Sequence, residues 1–290
     1  MCIRDSRLTT GNNNFFLGNS AGKYNQAGIH NVGIGTSALY GASGQSNSYN
    51  VAVGYKAGYK TTTGADNVFI GAYSGHTNTI GTANMFFGRS SGQENTEGLN
   101  NVAIGKNAFL FNQVGDKNVA IGTEAGRGAS KNSTSNNVFI GYQSGRSVET
   151  GADNNIFLGY QSGYSETEGN KLYIESSNSA TPLIYGEFDN DFIKINGDLK
   201  LPDNKKLYLG DADDVSINYN GTATLFTNEV GNGDWIFGSG NVGVGTTTPD
   251  TKLQVVGDSK FGDDNTNYLS LASDGELTLT GTARVEKVHW

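Results

Sequence analysis

The sequence is poor in the residues on which metal sites and many catalytic centres depend. It contains one cysteine, three prolines and three histidines in 290 residues, and only 17% of its residues are charged. No cluster of His, Cys and Asp has the spacing of metal ligands, and the three histidines (His30, His76 and His289) are isolated from one another. No metal site and no cofactor are therefore predicted.

Long apolar runs and basic stretches are also missing. No apolar run approaches the ~18 residues that a bilayer span requires, and the first 30 residues have no apolar core of a signal peptide. The net charge is -8 and is spread along the chain. Because nucleic-acid binding usually needs a basic stripe, neither a nucleic-acid partner nor a membrane span is predicted.

The abundant residues favour short strands and turns. The chain has 42 glycines and 14 each of Tyr and Phe, a composition suited to many short β-strands joined by Gly/Asn turns. The opening MCIRDSR, which holds Cys2, does not fit this pattern and resembles translated sequencing-adapter sequence. Residues 1–10 are therefore interpreted as a non-native or disordered start, and Cys2 indicates nothing about the redox compartment.

The pattern Asn–apolar–x–apolar–Gly recurs nine times at spacings of 17 to 19 residues. Most copies continue with two variable residues, then Ala or Ser, then Gly, and a polar stretch. The unit is too short for two helices and has no 3.6-residue apolar period, whereas two short strands and two turns fit. The repeat predicts an all-β protein, a parallel β-solenoid or β-roll of about nine coils over residues 11–169, stacked about 4.8 Å apart into a rod of roughly 40 Å.

The first and last residues of each copy have predicted structural roles. The asparagines should stack in a ladder of side-chain amides; they are Asn14, Asn31, Asn50, Asn67, Asn84, Asn101, Asn118, Asn137 and Asn155. The glycines should release the chain into a tight turn where a Cβ is costly; they are Gly18, Gly35, Gly54, Gly71, Gly88, Gly105, Gly122, Gly141 and Gly159.

The two faces of the short strand are both apolar. Positions two and four share one face and are apolar in every copy, so this face is predicted to be the interior of the coil. Position three is Phe, Ala or Gly, and so large an apolar stripe should not meet water. It is predicted to pack on copies of the same chain around a closed axis, formed by Phe16, Phe69, Phe86, Phe139 and Phe157. In the alternative, position three packs under the polar segment of its own chain.

The NVAIG core with a small residue downstream resembles the head repeats of YadA-like trimeric autotransporter adhesins. The likeness covers about residues 11–165 and implies a left-handed parallel β-roll, a homotrimer and an extracellular location. The family's usual repeat is shorter than the 17 to 19 residues found here. Repeats with a tail like YQSG, at Tyr142 and Tyr160, also resemble phage tail-fibre proteins.

Three further regions follow the repeats. Residues 170–201 are predicted to be a β-rich transition, 202–240 an irregular β region, and 241–290 a β-rich fibre or neck segment. The stretch NVGVGTTTPDTKLQVVGDSKF, from Asn241 to Phe261, resembles the segment that often precedes the C-terminal chaperone of phage tail fibres. The chain is therefore interpreted as a fragment of a longer fibre protein.

Acidic residues offer the candidate chemistry. Asp189 and Asp191, with Glu187 nearby, could form the carboxylate pair of a polysaccharide depolymerase, and acidic turns could bind calcium. Those turns contain Asp211, Asp213, Asp214, Asp263 and Asp264. Because the turns lack the EF-hand spacing, solvated loops are favoured over calcium sites. Acidic residues are also common in solvated loops, so no enzymatic activity is predicted for the carboxylate pair.

Tyr55, Tyr142 and Tyr160 are candidate receptor contacts, because exposed rings stack on sugars or anchor a protein partner. In the alternative they pack at coil corners. The predicted function is a structural and adhesive fibre segment of a phage tail fibre, which attaches to a glycan or protein receptor on a host surface. The alternative is the head of a trimeric adhesin on a bacterial cell surface, and a depolymerase is less favoured.

Overall fold

The computed structural model describes residues 11–209 and the short segments 215–219, 224–228, 242–244, 253–255, 259–262, 268–271 and 277–280. The chain divides into two units, Met1–Leu199 and Lys200–Trp290. Several candidate residues of the sequence lie outside the described residues: Cys2, Asp211, Asp213, Asp214, Asp263, Asp264 and His289.

The first unit is a parallel β-solenoid of about nine turns, which confirms the predicted fold class. Each copy of the repeat contributes one three-residue strand that pairs in register with the strands before and after it. The strands are β1 Phe15–Leu17, β2 Val32–Ile34, β3 Val51–Val53, β4 Val68–Ile70, β5 Met85–Phe87, β6 Val102–Ile104, β7 Val119–Ile121, β8 Val138–Ile140 and β9 Ile156–Leu158.

The sheet continues past the predicted boundary at residue 169. Strand β10 (Lys171–Ile174) pairs parallel with β9, and β11 (Ile184–Glu187) and β12 (Phe192–Ile195) then add antiparallel. The parallel stacking of coils therefore ends at β10.

The described parts of the second unit form three smaller sheets. Their strands are β13 Lys206–Leu209, β14 Val215–Tyr219, β15 Thr224–Asn228, β16 Val242–Val244, β17 Leu253–Val255, β18 Ser259–Gly262, β19 Tyr268–Leu271 and β20 Leu277–Thr280. The pair β16–β17 is parallel and the other pairs are antiparallel. Nowhere in the described ranges does a helix reach the length and apolarity of a membrane span.

The predicted asparagine ladder is present, and all of its members except the partly buried Asn14 are buried. The backbone N–H and the side-chain Nδ2 of Asn101 both donate to Oδ1 of Asn84, at 3.0 and 3.1 Å, and Asn101 Oδ1 accepts the same pair of bonds from Asn118. Asn101 Nδ2 also donates to the carbonyl of Gly115 at 2.8 Å. A ladder residue such as Asn101 is therefore bonded to the coil before it and to the coil after it, and it also closes its own coil.

The turn glycines after the strands stack on one another. Gly71 has φ +127°, and a Cβ there would lie 2.5 Å from the carbonyl oxygen of Gly88 in the next coil. Any side chain would push the two coils apart, since real Cβ atoms do not approach a carbonyl oxygen so closely. The glycine is thus required by both the backbone conformation and the spacing between coils.

The interior of the coils is lined by position three, so the predicted assignment of the two faces is wrong. Phe69, Phe86, Phe139 and Phe157 are fully buried and Phe16 is 9% exposed. The rings are enclosed by their own chain and are not available to form an oligomer axis. The alternative, in which position three packs within its own chain, is what the structure contains.

The residue at position three faces the residue six positions later, and in most coils one of the two is large and the other is small. Gly75 (φ +55°) follows Phe69, and a Cβ on Gly75 would lie 2.4 Å from that ring. The same relation joins Phe86 to Gly92 and Phe139 to Gly145. In two coils with a small residue at position three the partner is large: Leu39 follows Gly33, and Phe109 follows Ala103.

Two coils are small at both positions, and their space is filled from neighbouring coils. Gly58, in the coil of Ala52, lies against Phe69 and Leu39. Gly126, in the coil of Ala120, lies against Phe139 and Phe109. Along the repeats, the large side chain therefore alternates between two facing positions of one narrow core. This alternation produces the order small, small, Phe, Phe at position three.

We predict that the two matched positions can exchange their side chains. Phe69→Ala should cost about 3–5 kcal/mol of unfolding free energy because it leaves a cavity, and Gly75→Phe has no space beside the native ring. The double variant reproduces the arrangement of Ala103 and Phe109, so it should be more stable than either single variant. Unfolding in urea measures this, and additive losses in the double variant would contradict it.

A second prediction concerns the ladder. Asn101→Ala leaves the backbone N–H of Asn118 and the carbonyl of Gly115 buried without these partners, at about 1–3 kcal/mol for each group. The matched control is the neighbouring exposed residue, Asn100→Gly, which keeps the left-handed φ of +58° accessible. Equal urea midpoints for the two variants would show that the ladder contributes nothing.

Candidate functional site: the outer surface of the solenoid

The outer surface carries a continuous apolar stripe, here called the strand face, made of positions two and four of β1–β9. Because position three points inward, these side chains point outward. Every one of them is apolar and none is fully buried. They are Phe15, Leu17, Val32, Ile34, Val51, Val53, Val68, Ile70, Met85, Phe87, Val102, Ile104, Val119, Ile121, Val138, Ile140, Ile156 and Leu158.

The strand face has the properties of an interaction surface. Its largest residues are also its most exposed, with Phe87 53% and Met85 46% exposed in the fifth coil. Apolar patches on monomeric proteins rarely exceed a few hundred Å² without a partner. The sequence predicted a contact surface between chains at position three, which the structure buries instead, and contact between chains stays a prediction.

The three candidate receptor tyrosines lie at the corner just after the turn glycines. Tyr55, Tyr142 and Tyr160 are all exposed. The rings of Tyr142 and Tyr160 stack with centroids 5.4 Å apart, whereas Tyr55 meets Tyr73 edge-on at 5.2 Å. The rings thus pack on neighbours in adjacent coils and still present surface to solvent. Their contact with a receptor stays a prediction.

Sequence reasoning missed an aromatic column at the next corner. Tyr24, Tyr40, Tyr59 and His76 follow one another with centroid distances of 5.0, 4.8 and 5.2 Å. Their recurrence nine or ten residues after the first four ladder asparagines is the signal that could have revealed them. His76 is thus a stacking residue, as is His30, whose ring lies 5.1 Å from Tyr49.

Lysines lie against this column. Lys23 Nζ is 5.0 Å from the ring centroid of Tyr24, and Lys56 Nζ is 5.3 Å from that of Tyr59. Hydrogen bonding to Tyr40 raises the pKa of Lys23. Both lysines therefore stay charged and lie over the aromatic rings.

A polar network links the last coils of the solenoid. Glu124 Oε2 accepts hydrogen bonds from Arg146 Nε at 2.7 Å and from Gln143 Nε2 at 2.9 Å. Gln161 Nε2 donates to Gln143 Oε1, and Arg146 Nη1 donates to the hydroxyl of Tyr164 at 2.9 Å. The hydrogen bond from Arg146 is the main reason why the pKa of Glu124 is lowered.

A pocket of about 270 Å³ lies where the solenoid ends. Its lining combines aromatic, carboxylate, amide and hydroxyl groups: Gly163, Tyr164, Ser165, Glu166, Tyr173, Asn178, Ser179 and Ala180. The hydroxyl of Tyr173 donates to Glu166 Oε2 at 2.7 Å, while Glu166 Oε1 accepts the backbone N–H groups of Thr167 and Glu168. Burial, followed by the bond to Glu166, raises the pKa of Tyr173.

The acidic candidates near β11 do not form an evident proton-transfer pair. Asp189 and Asp191 are exposed. Glu187 accepts hydrogen bonds from Tyr185 and Asn190, and the bond from Tyr185 lowers its pKa. A general acid needs a raised pKa instead. Within the described ranges there is also no group of three His, Cys, Asp or Glu side chains that could hold a metal ion.

No protein-family model, curated protein or solved structure matches this chain. The likeness of the repeats to adhesin heads and tail fibres therefore stays an expectation from the sequence.

The network around Glu124 predicts a pH dependence. A carboxyl whose pKa is lower in the folded state stabilises the fold at neutral pH, and this contribution is lost as the pH falls below the ordinary value of 4.5 towards the lowered pKa. Glu124→Gln should therefore lower stability at pH 7 by up to about 1 kcal/mol. The difference from the native chain should disappear in acid, as measured by thermal unfolding across pH. A difference independent of pH would contradict the prediction.

Proposed function

We propose that this chain is a non-enzymatic structural segment of an extracellular fibre, in which copies of the chain associate through the strand face and present their corners for attachment. The strand face carries the proposal, since it is an uninterrupted apolar stripe on a rigid, regular backbone. A partner with the same coil-to-coil spacing fits such a stripe in register, and a second copy of this chain has that spacing.

A closed trimer is the proposed state. In a closed trimer each of the three strand faces packs against the other two around a common axis. All three faces are then covered at once, and no apolar edge is left open. In this arrangement the bulky pair Met85 and Phe87 meets its equivalents at one level along the axis and sets the register of the chains.

The attachment role is supported by the corners that such a trimer leaves free. Tyr55, Tyr142 and Tyr160 lie just beyond the turn glycines, and the aromatic column lies at the following corner. Exposed tyrosines supply contact area at low conformational cost. A repeated row of them suits a repetitive partner such as a cell-surface glycan or a fibrous protein.

A phage tail fibre is the favoured setting because of the NVGVGTTTPDTKL stretch, in which β16 and β17 form a parallel pair. The head of a bacterial trimeric adhesin is the second candidate, favoured by the NVAIG copies at Asn101 and Asn118. Both settings require the same assembly and the same free corners.

The assembly is tested by light scattering on the purified chain. We expect three chains per particle at micromolar concentration. Ile121→Glu combined with Ile140→Glu places charges on two exposed positions of the strand face and should give a monomer, because buried unpaired carboxylates oppose association.

Ala129→Glu is the matched control, since Ala129 is exposed in a loop of the same coil as Ile121 and should not affect the mass. Circular dichroism confirms that each variant keeps its β-structure. A native chain that is monomeric, or a trimer that survives both strand-face substitutions, would rule the proposal out.

A further inference from the structure

The pocket at the end of the solenoid is built differently from the rest of the outer surface. It lies between the last full coil, which supplies residues 163–166, and the loop after β10, which supplies residues 178–180. We propose that this pocket binds one neutral pyranose ring of a surface glycan. The inference rests on the attachment function proposed above and names its ligand.

Hydrogen-bonding groups of both kinds converge on the pocket. Glu166 supplies carboxylate oxygens as acceptors, held in place by Tyr173 and by two backbone N–H groups. Asn178 and Ser165 line the pocket, and neither side chain forms a hydrogen bond within the described residues. An amide, a hydroxyl and a carboxylate together match sugar hydroxyls, each of which donates and accepts.

One tyrosine, Tyr164, gives the pocket an aromatic wall, and a second, Tyr173, is buried between Phe157 and Tyr185 and holds the carboxylate in place. Tyr173 is 8% exposed and its hydroxyl is tied to Glu166. The ring of Tyr164 is held by Arg146, whose guanidinium carbon lies 5.3 Å from the ring centroid and whose Nη1 donates to the hydroxyl. The C–H face of a pyranose can pack on the ring of Tyr164, and little side-chain freedom is lost on binding because this ring is already held by Arg146.

The charges around the pocket select against acidic sugars. Glu166 is part of the lining and no cation is. Arg146 contacts Tyr164 of the lining, but its charge is already paired with Glu124 at 2.7 Å, and Lys171 is paired with Glu168 at 3.3 Å. A carboxylate on the sugar would meet like charge without compensation, so neutral hexoses or N-acetylhexosamines are the fitting class.

Size and chemistry limit what the pocket does. Its volume of about 270 Å³ lies just below the ~300–1,000 Å³ of sites for drug-sized ligands, which suits a single ring at the end or side of a glycan. One carboxylate lines the pocket, whereas glycosidic cleavage uses two. The pocket is therefore assigned to binding without hydrolysis.

Saturation-transfer NMR on the full chain tests the site. The probes are the methyl glycosides of glucose, galactose and N-acetylglucosamine, with glucuronic acid and sialic acid as charged counterparts. We expect saturable binding of at least one neutral probe and none of the acidic probes. Asn178→Ala and Glu166→Gln should each weaken that binding about tenfold, the loss of one good hydrogen bond.

The controls separate this pocket from the rest of the surface. Ala129 is exposed and lies outside the pocket, so Ala129→Glu should bind the neutral sugar as the native chain does. Asn178 is exposed on a loop, so its substitution should leave the thermal midpoint unchanged. No binding of any neutral sugar, or binding that survives both pocket variants, overturns the inference.

A further variant distinguishes failure of this inference from failure of the proposed assembly. Ile121→Glu with Ile140→Glu should be monomeric and should still bind the sugar, because every pocket residue belongs to one chain. A trimer that binds no neutral sugar refutes the pocket and leaves the assembly standing. A monomeric native chain that binds the sugar refutes the assembly alone.

Discussion

The hydrogen bonds of the ladder asparagines constrain everything else in the solenoid. Eight of the nine ladder side chains donate to a carbonyl of their own coil. The Oδ1 atoms of the first eight ladder residues also accept the backbone N–H of the next ladder residue, so the repeat length can vary without disturbing the stack. Asn67 reaches a carbonyl 14 residues later, whereas Asn31 reaches one 16 residues later in a 19-residue coil. The two additional residues enter the outer loop, and the chain returns to the ladder in register.

Because the height of each coil is fixed, the core side chains must fill a fixed volume. Each strand sends one side chain inward, and the opposite wall offers one facing position six residues later. A large residue at both positions does not fit, and a small residue at both leaves space that only a neighbouring coil can fill. Phe69 with Gly75, Ala103 with Phe109, and the shared filling around Gly58 are three solutions of one constraint. The core is therefore specified across adjacent coils as well as within each.

The repeat, the parallel β-solenoid and the asparagine ladder could be predicted from the sequence because they depend on period and on residue type alone. The inward face could not be chosen by hydrophobicity, since Val68, Phe69 and Ile70 are all apolar. The deciding cue was the inverse relation in size between Phe69 and Gly75, which becomes visible only once the two are known to face each other. The terminal pocket depends on a loop returning to the last coil, and local sequence carries no such signal.

The same geometry places the proposed assembly surface and the proposed attachment sites on different parts of the coil. In the proposed assembly, strand positions two and four must stay apolar and regular to pack on a repeating partner. The corner residues after the turn glycines have no ladder or core role and differ between coils, as at Tyr55, Arg89 and Lys106. Within the stack of coils, these corners form rows of side chains. An enclosed pocket requires a loop that leaves the stack and returns, and this becomes possible where β11 and β12 reverse direction. The end of the parallel stacking is thus where the described solenoid gains a shaped site, beside Glu166 and Asn178.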